Sequence, residues 1–348
     1  MISDNRTLAF TNRQTQRGLS LIEMMISITI GLIILSAMTT LFSSQSKTRS
    51  ELDKSNRMID NGRYALEILS ENLRMAGFYG NYVPSGTTTA ATDPCTLANI
   101  TNAATNLQEM LHHVYGYNAA VQASQIAGVP LTGNCAFTYT AGNAKTLKSG
   151  SDILVLRRTG TSAPVAAASV TAAASTVLQV SNCTTDTSRY QIIAGDGVKT
   201  AFHDKDCATV ASLRPFIVQI YFVSPENNVG DGIPTLKRLE LDQATGAFVT
   251  TPLVEGIEYM QVDYGWDTNA DGAADSYIAA PAADADWGNI VSVKINIIAR
   301  NIETTAGHTD TKKYVLGSAG DFGPFGDPYK RHAYTQVVRL VNPSSRRE

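Results

Sequence analysis

Three groups of residues have types and spacing that could do chemistry. The first is Asp267-Thr-Asn269-Ala-Asp271-Gly272-Ala273-Ala274-Asp275, which sets oxygen-bearing side chains at alternate positions around a glycine. Calcium takes about six to eight hard oxygens at roughly 2.3–2.6 Å, and such alternation lets them converge as a chain turns. Asp267, Asn269 and Asp271 would supply side-chain oxygens, Ala273 a carbonyl, and Asp275 a direct or water-mediated contact. An EF-hand proper would place glutamate at the twelfth position, where Ile278 stands, and would need helices where the flanks read as strands. The pattern therefore suits either a short calcium loop or an Asx-rich hairpin turn. The second group is Cys95, Cys135, Cys183 and Cys207, with no C-x-x-C pair among them. Four cysteines allow three disulfide connectivities; Cys95–Cys135 with Cys183–Cys207 closes the shortest loops. The third group is His112, His113, His203, His308 and His332, which matches no metal-ligand spacing. His203-Asp-Lys-Asp-Cys207 reads as a solvated loop. There is no G-x-S-x-G, no glycine-rich phosphate loop and no H-E-x-x-H, so no enzyme is expected and no cofactor is required beyond the calcium question.

The residues that say most lie at the other end. Arg6, Arg13 and Arg17 against Asp4 make the first eighteen residues a basic, polar leader. Leu19–Phe42 follows, a predominantly apolar run of 24 residues with one charge, Glu23. As a helix these residues would span about 36 Å, enough for a hydrocarbon core of about 30 Å. The basic side comes first, so the N-terminus should stay cytoplasmic and the remainder should be exported. A secretory signal peptide would have an apolar run of only about 7–15 residues followed by an A-x-A site. It would not open its apolar run with a carboxylate.

Arg17-Gly18-Leu19-Ser20-Leu21-Ile22-Glu23 resembles the site cut by prepilin peptidase. The resemblance implies cleavage after Gly18 and methylation of the new N-terminus at Leu19, where the family usually has phenylalanine. A carboxylate inside a membrane costs about 2.5–3.5 kcal/mol on insertion scales. In pilins the glutamate corresponding to Glu23 neutralises a mature N-terminal amine, commonly a neighbour's, and so serves assembly. The plainer alternative is that Glu23 snorkels to the nearby interface.

These groups need elements to hold them. No proline interrupts Leu19–Ala76, and Leu52, Ile59, Leu66 and Leu73 recur every seven residues, which predicts one helix stopped by Gly77. Its first half is apolar all round; its second half carries a stripe suited to lie on a globular domain. Beyond it, Ser151–Arg158, Phe216–Val223, Thr235–Leu241, Gly256–Trp266, Asn289–Arg300 and His332–Val341 read as strands. Thr87–Asn106 and Thr159–Thr176, rich in Thr, Ala and Ser or Asn, read as surface loops. The expected class is α+β, a pilin-like long helix on a mainly antiparallel sheet. The expected divisions are 1–18 leader, 19–42 transmembrane half-helix, 43–77 amphipathic half-helix and 78–348 periplasmic domain with loop insertions.

GIPTLKRLEL (Gly232–Leu241), YGWDTNADGAADSY and DWGNIVSVKINIIAR, with the prepilin head, resemble the PilW family of type IV pilus minor pilins. Residues 81–214 carry no such likeness. The resemblance implies a minor-pilin complex that primes fibre assembly and sits at the tip. It implies as partners prepilin peptidase, other minor pilins, the major pilin, an inner-membrane assembly platform and a tip adhesin. A J-type minor pseudopilin of type II secretion is the nearest rival, and a membrane-tethered periplasmic domain that never polymerises is the third reading. A net charge of −3 over 348 residues gives no basic footprint for nucleic acid.

Overall fold

A single helix, α1 (Leu21–Arg74), opens a computed structural model that describes residues 18–86, 93–96, 101, 110–122, 124–126, 128–129, 133–170, 175–195 and 197–347. The leader up to Arg17 and most of the expected loop at 87–106 lie outside these. α1 is shorter at both ends than the expected 19–76. Ser20 supplies the carbonyl for the first helical bond, from Met24 N–H at 3.1 Å. At the far end Ala76 N–H turns back to the Leu73 carbonyl at 3.0 Å, and Gly77 takes φ 72°. A three-residue bond followed by a left-handed glycine closes a helix without placing a Cβ against a carbonyl.

The chain forms two compact units that divide between Asp53 and Lys54. In the second unit α1 buries Met58, Gly62, Ala65, Leu66, Leu69, Ser70 and Leu73, spaced at three and four residues. Leu52, expected on this stripe, is 58% exposed and falls in the first unit, so burial begins at Met58.

The strands follow as β1 (Val114–Tyr117), β2 (Ile153–Thr159), β3 (Thr176–Val180), β4 (Tyr190–Ala194), β5 (Leu213–Ser224), β6 (Thr235–Leu241) and β7 (Phe248–Glu255). These make one sheet in the order β1-β2-β5-β3-β4, with β6 on β5 and β7 on β6. Then come β8 (Ile257–Trp266), β9 (Ser276–Ile278), β10 (Ile290–Arg300), β11 (Tyr314–Val315), β12 (Asp321–Phe322) and β13 (Arg331–Arg339). β13-β10-β8-β9 form a second sheet, and β11 with β12 a small ribbon. Every strand pairing is antiparallel. One apolar core joins α1 from Met58 onward to both sheets, through residues such as Leu69, Phe222, Met260 and Ile295. The fold is α+β.

The six strands read from the sequence appear as β2, β5, β6, β8, β10 and β13. The Thr159–Thr176 stretch is a connection with its two ends inside β2 and β3. A last short helix, α2 (Val341–Ser345), follows β13.

Long-range polar contacts pin the loop between β10 and β13. Arg331, with a side chain fully buried, donates Nε to Glu258 Oε2 at 2.6 Å and NH1 to Asp310 Oδ2 at 3.0 Å. It also meets Asp327 through both terminal nitrogens at 2.6 Å, and its guanidinium lies over the Phe325 ring at 3.9 Å. Further along, Ser318 N–H and Oγ bond Asp263 Oδ1.

Where α1 crosses the second sheet, Gly62 faces Tyr334, and a Cβ there would run into the ring. Gly62→Leu should therefore lower stability by about 1–3 kcal/mol through overpacking. Gly31→Ala, with nothing within 4 Å, should not. Thermal melts of both, and of Gly62→Leu in a Tyr334→Ala background where the penalty should shrink, check this.

Candidate functional site

Gly18, Leu19 and Ser20 precede the helix as exposed, non-helical backbone. Glu23 is the third residue of α1, and its Oε2 accepts the Ser20 N–H at 2.9 Å. Ser20-Leu-Ile-Glu23 thus supplies the glutamate half of a capping box, which answers one of the N–H groups a helix start leaves unbonded. The bond Gly18–Leu19 is left outside the helix. Glu23 lies within one turn of it.

From Leu21 to Phe42 the side chains are exposed, and the helix has a window of mean hydropathy 2.2. Its length and composition suffice to cross a membrane. Four hydroxyls in this stretch bond back inside the helix: Ser27 Oγ donates to Glu23 O at 2.7 Å, Thr29 Oγ1 to Ile26 O at 2.8 Å, Thr39 Oγ1 to Leu35 O at 2.7 Å and Thr40 Oγ1 to Ala37 O at 2.8 Å. Such back-bonding lets a Ser or Thr sit in hydrocarbon without an unpaired donor. In the sequence, the signal for them is a hydroxyl placed in an apolar run.

The aspartate-rich segment forms the turn between β8 and β9. Asp267 is buried, and its carboxylate accepts Ala270 N–H at 2.6 Å, Gly272 N–H at 3.0 Å and Arg347 NH1 at 3.2 Å. Burial alone would raise its pKa. The two N–H groups and the guanidinium outweigh that and hold it below the usual carboxylate value. Asn269 Nδ2 reaches Asp271 Oδ2 at 3.2 Å and Asp275 Oδ1 at 3.4 Å, so these three exposed side chains converge. Ala273 donates its N–H to Asp271 Oδ1 at 2.8 Å. Ala270 and Gly272 take positive φ, 65° and 80°, which is what folds the segment so tightly. The loop is built on Asx turns, and Asp267 already faces a cation from its own chain.

Both disulfides are present, Cys95–Cys135 with Cα atoms 5.4 Å apart and Cys183–Cys207 at 5.0 Å. Asp93 gathers near the first, but its oxygens accept Cys95 N–H at 2.9 Å and Thr96 Oγ1 at 2.8 Å, which makes it a turn residue. His203 Nδ1 lies 3.0 Å from Asp186 Oδ1 beside the second.

Residues 13–39 match the model of the prokaryotic N-terminal methylation motif, and residues 220–342 match that of the type IV pilus-assembly protein W. The chain thus joins a prepilin-type N-terminal motif to a PilW-type segment. No curated protein matches it. Among solved structures it is similar to the type IV-like pilin TTHA1219 from Thermus thermophilus, at 11% identity and a TM-score of 0.25, over 71% of this chain and 97% of that one. A likeness that distant supports no inference here. The PilW match takes in the end of β5 from Ile220, all of β6 to β13 and the aspartate-rich turn, while residues 40–219 carry neither match.

The C-terminal segment joins the end of α1 to the aspartate-rich turn. Asn342 Nδ2 donates to Ala76 O at 3.1 Å and Arg346 NH2 to Gly77 O at 2.6 Å, so cationic and amide donors close the end of α1. Ser344 Oγ donates to Gly272 O at 2.6 Å, and Arg347 reaches both Asp267 and Asn289. His113 lies at this junction, beside a cleft of about 490 Å³ lined by Pro84, Asp286, Pro343 and Arg346 among others. Its ring nitrogens are each 3.0 Å from a carbonyl, of Leu111 and of Ile290. Burial is the main cause that lowers its pKa from 6.5 to about 4, and Arg346 acts in the same sense. The folded protein therefore disfavours the protonated ring. Its contribution to stability is complete above about pH 6.5 and is lost as pH falls to 4 and through it, on the order of 3 kcal/mol. Asp152 acts in the opposite sense, since burial pushes its pKa up to about 7 and its contribution is lost as pH rises. Comparison with His113→Leu isolates the histidine: the variant should be less stable at pH 7 and lose less on acidification from pH 6.5 to 4, measured by denaturant melts.

Proposed function

We propose that this chain is a minor pilin that works by assembly and not by catalysis. Prepilin peptidase cuts after Gly18, Leu19 becomes the methylated N-terminus, and the α1 segment up to Phe42 holds the protein in the inner membrane. The N-terminus starts in the cytoplasm and the unit from Lys54 onward stands in the periplasm. The subunit then leaves the membrane for the fibre. There it joins other minor pilins in a complex that primes assembly and occupies the tip, in contact with major pilin, the assembly platform and a tip adhesin. The observation that carries this reading is the junction at Gly18–Leu19: exposed, non-helical backbone, a helix that begins two residues later, and one carboxylate within its first turn.

Glu23 has a definite part in it. One oxygen accepts the Ser20 N–H of its own helix, and a carboxylate has further acceptor sites. In low dielectric an amine from a neighbouring helix would be strongly attracted there, and either charge alone would be penalised. Pairing would fix how far one helix slides along the next.

We propose also that the aspartate-rich turn takes calcium, with Asn269, Asp271 and Asp275 as the convergent oxygen donors, Ala273 through its carbonyl, and Asp267 shared with Arg347. The gathering of the exposed Asp271 and Asp275 carboxylates around Asn269 supports it. Calcium would supply charge neutralisation and stiffness, not reaction chemistry.

Two measurements test these proposals. Intact mass and N-terminal sequencing of membrane-extracted protein should give a chain starting at Leu19 only when the peptidase is active. Glu23→Ala should still be cut yet be depleted from sheared fibres; normal incorporation, or a chain still starting at Met1 with active peptidase, contradicts the reading. For the loop, millimolar calcium should raise the melting temperature and Asp271→Ala should remove the gain, whereas an unchanged wild-type melt leaves only the turn.

A further inference from the structure

The two disulfides differ in what surrounds each sulfur. Cys95 and Cys135 are both 0% exposed and lie in the apolar core. Cys183 is also buried, at 2%, but its partner Cys207 is exposed. Cys207 takes φ 55°, a left-handed conformation that a residue with a Cβ seldom enters. Its N–H donates to Asp204 O at 2.9 Å, and Asp204 N–H donates to Thr209 O at 2.8 Å. Ala208 and Thr209 both give their N–H to Asp206 Oδ1, at 3.0 and 2.8 Å. A tight turn over residues 204–209 thus holds Cys207 at the surface.

The buried sulfur has donors. Thr185 gives its N–H to Cys183 Sγ at 3.4 Å and its hydroxyl at 3.0 Å. A sulfur in a disulfide carries no proton, so Thr185 donates in both contacts. Disulfides exchange when a thiolate attacks one sulfur and the other leaves as a thiolate. The rate follows access to the first and how readily the second carries charge. Here an exposed cysteine is joined to a buried one whose sulfur two hydrogen bonds would stabilise as an anion.

The segments that bear these cysteines are also held together without the bond between them. Asn182 N–H donates to His203 O at 2.9 Å. Asp186 Oδ2 accepts both the Ser181 hydroxyl at 2.6 Å and the His203 N–H at 2.8 Å, and its Oδ1 lies 3.0 Å from His203 Nδ1. Five residue pairs between β3 and β4 anchor the chain between the two cysteines. Opening the disulfide therefore leaves a scaffold on which it can close again.

We propose that Cys207 is a thiol-exchange site, at which a thiolate from a small thiol or a thiol–disulfide protein attacks Sγ and displaces Cys183. The new S–S bond joins the attacker to Cys207. The old bond breaks, and its electron pair leaves on Cys183 Sγ, where Thr185 receives it. Two outcomes follow from that mixed disulfide. Cys183 can attack Cys207 Sγ, restore the original bond and release the attacker as a thiolate. Alternatively a second thiol attacks the bound thiol's sulfur, so that two thiols become one disulfide and Cys183 and Cys207 are both reduced. Cys95–Cys135, buried at both ends, stays closed throughout.

The test uses the folded full-length chain in detergent. It is treated with glutathione and, separately, with a thioredoxin whose resolving cysteine is serine. Free thiols are then blocked with N-ethylmaleimide in denaturant, and mass spectrometry maps both marks at early times. The adduct should sit on Cys207 and the maleimide on Cys183, and this bond should open at least about tenfold faster than Cys95–Cys135. Thr185→Val keeps the N–H and the shape but loses the hydroxyl, and should slow opening about three- to tenfold, while Thr185→Ser should not. Thr185 is exposed, so neither change touches the core. An adduct from glutathione alone supports a site for small thiols, and one from both probes a site open to proteins as well. An adduct on Cys183, none with either probe, equal opening of both disulfides, or a Thr185→Val rate equal to the wild type overturns the assignment.

Discussion

Arg331 is charged, its side chain is wholly buried, and three carboxylates answer it, one of them from 73 residues away. Taking a guanidinium out of water costs several kcal/mol unless its donors are matched by geometry and charge. Glu258 comes from β8, and Asp310 and Asp327 from the loop that precedes β13. None of these positions can drift without stranding a charge. Arg300 adds a second cation, 3.4 Å from Glu258 and over the Tyr329 ring at 3.9 Å. The cluster therefore fixes the second sheet against its longest connection. That connection carries Ser318 onto Asp263.

A different constraint rules the first unit. Within a membrane each polar group must be answered by the segment itself or by a neighbour. Ser27, Thr29, Thr39 and Thr40 are answered locally, and Ser20 N–H is answered by Glu23. What remains is a carboxylate with acceptor capacity in an otherwise apolar stretch, which is the property an assembling helix needs. In the second unit the same helix meets the ordinary demand of a core, with small residues where it must come close. Gly62 admits the Tyr334 ring; Gly31, in the apolar stretch, touches nothing within 4 Å.

Much of this was legible in the sequence because two periodicities are strong. β10 alternates Val291, Val293, Ile295 and Ile297 with polar neighbours, and α1 from Met58 onward repeats at three and four residues. The strands that escaped notice are those whose pattern is diluted. β3 is only TVLQV, β1 contains a glycine, and β7 mixes Thr250, Thr251 and Pro252 on an edge. Leu52 was assigned to the buried stripe because it keeps the seven-residue spacing, but spacing cannot say where the domain beneath the helix begins. At the aspartate-rich turn the chain order of the oxygen donors was visible. Arg347, eighty positions away, was not, because local pattern carries no information about which cation arrives from the C-terminus. The Arg331 cluster was hidden for the same reason: each of its members, taken singly, looks like a surface charge.

The closing contacts of α1 come from the last residues of the chain. Asn342 and Arg346 reach its final turn across 266 and 269 residues of sequence. A ribosome makes the helix first and its cap last. Until the final residues emerge, the stripe from Met58 to Leu73 has no complete partner and the carbonyls at Ala76 and Gly77 lack their donors. Contacts of such separation are slow to form, so the second unit cannot reach its native state progressively from its N-terminal end. A nascent chain truncated before β13 would display an uncovered apolar face, and quality control could distinguish it from a finished one by that face alone.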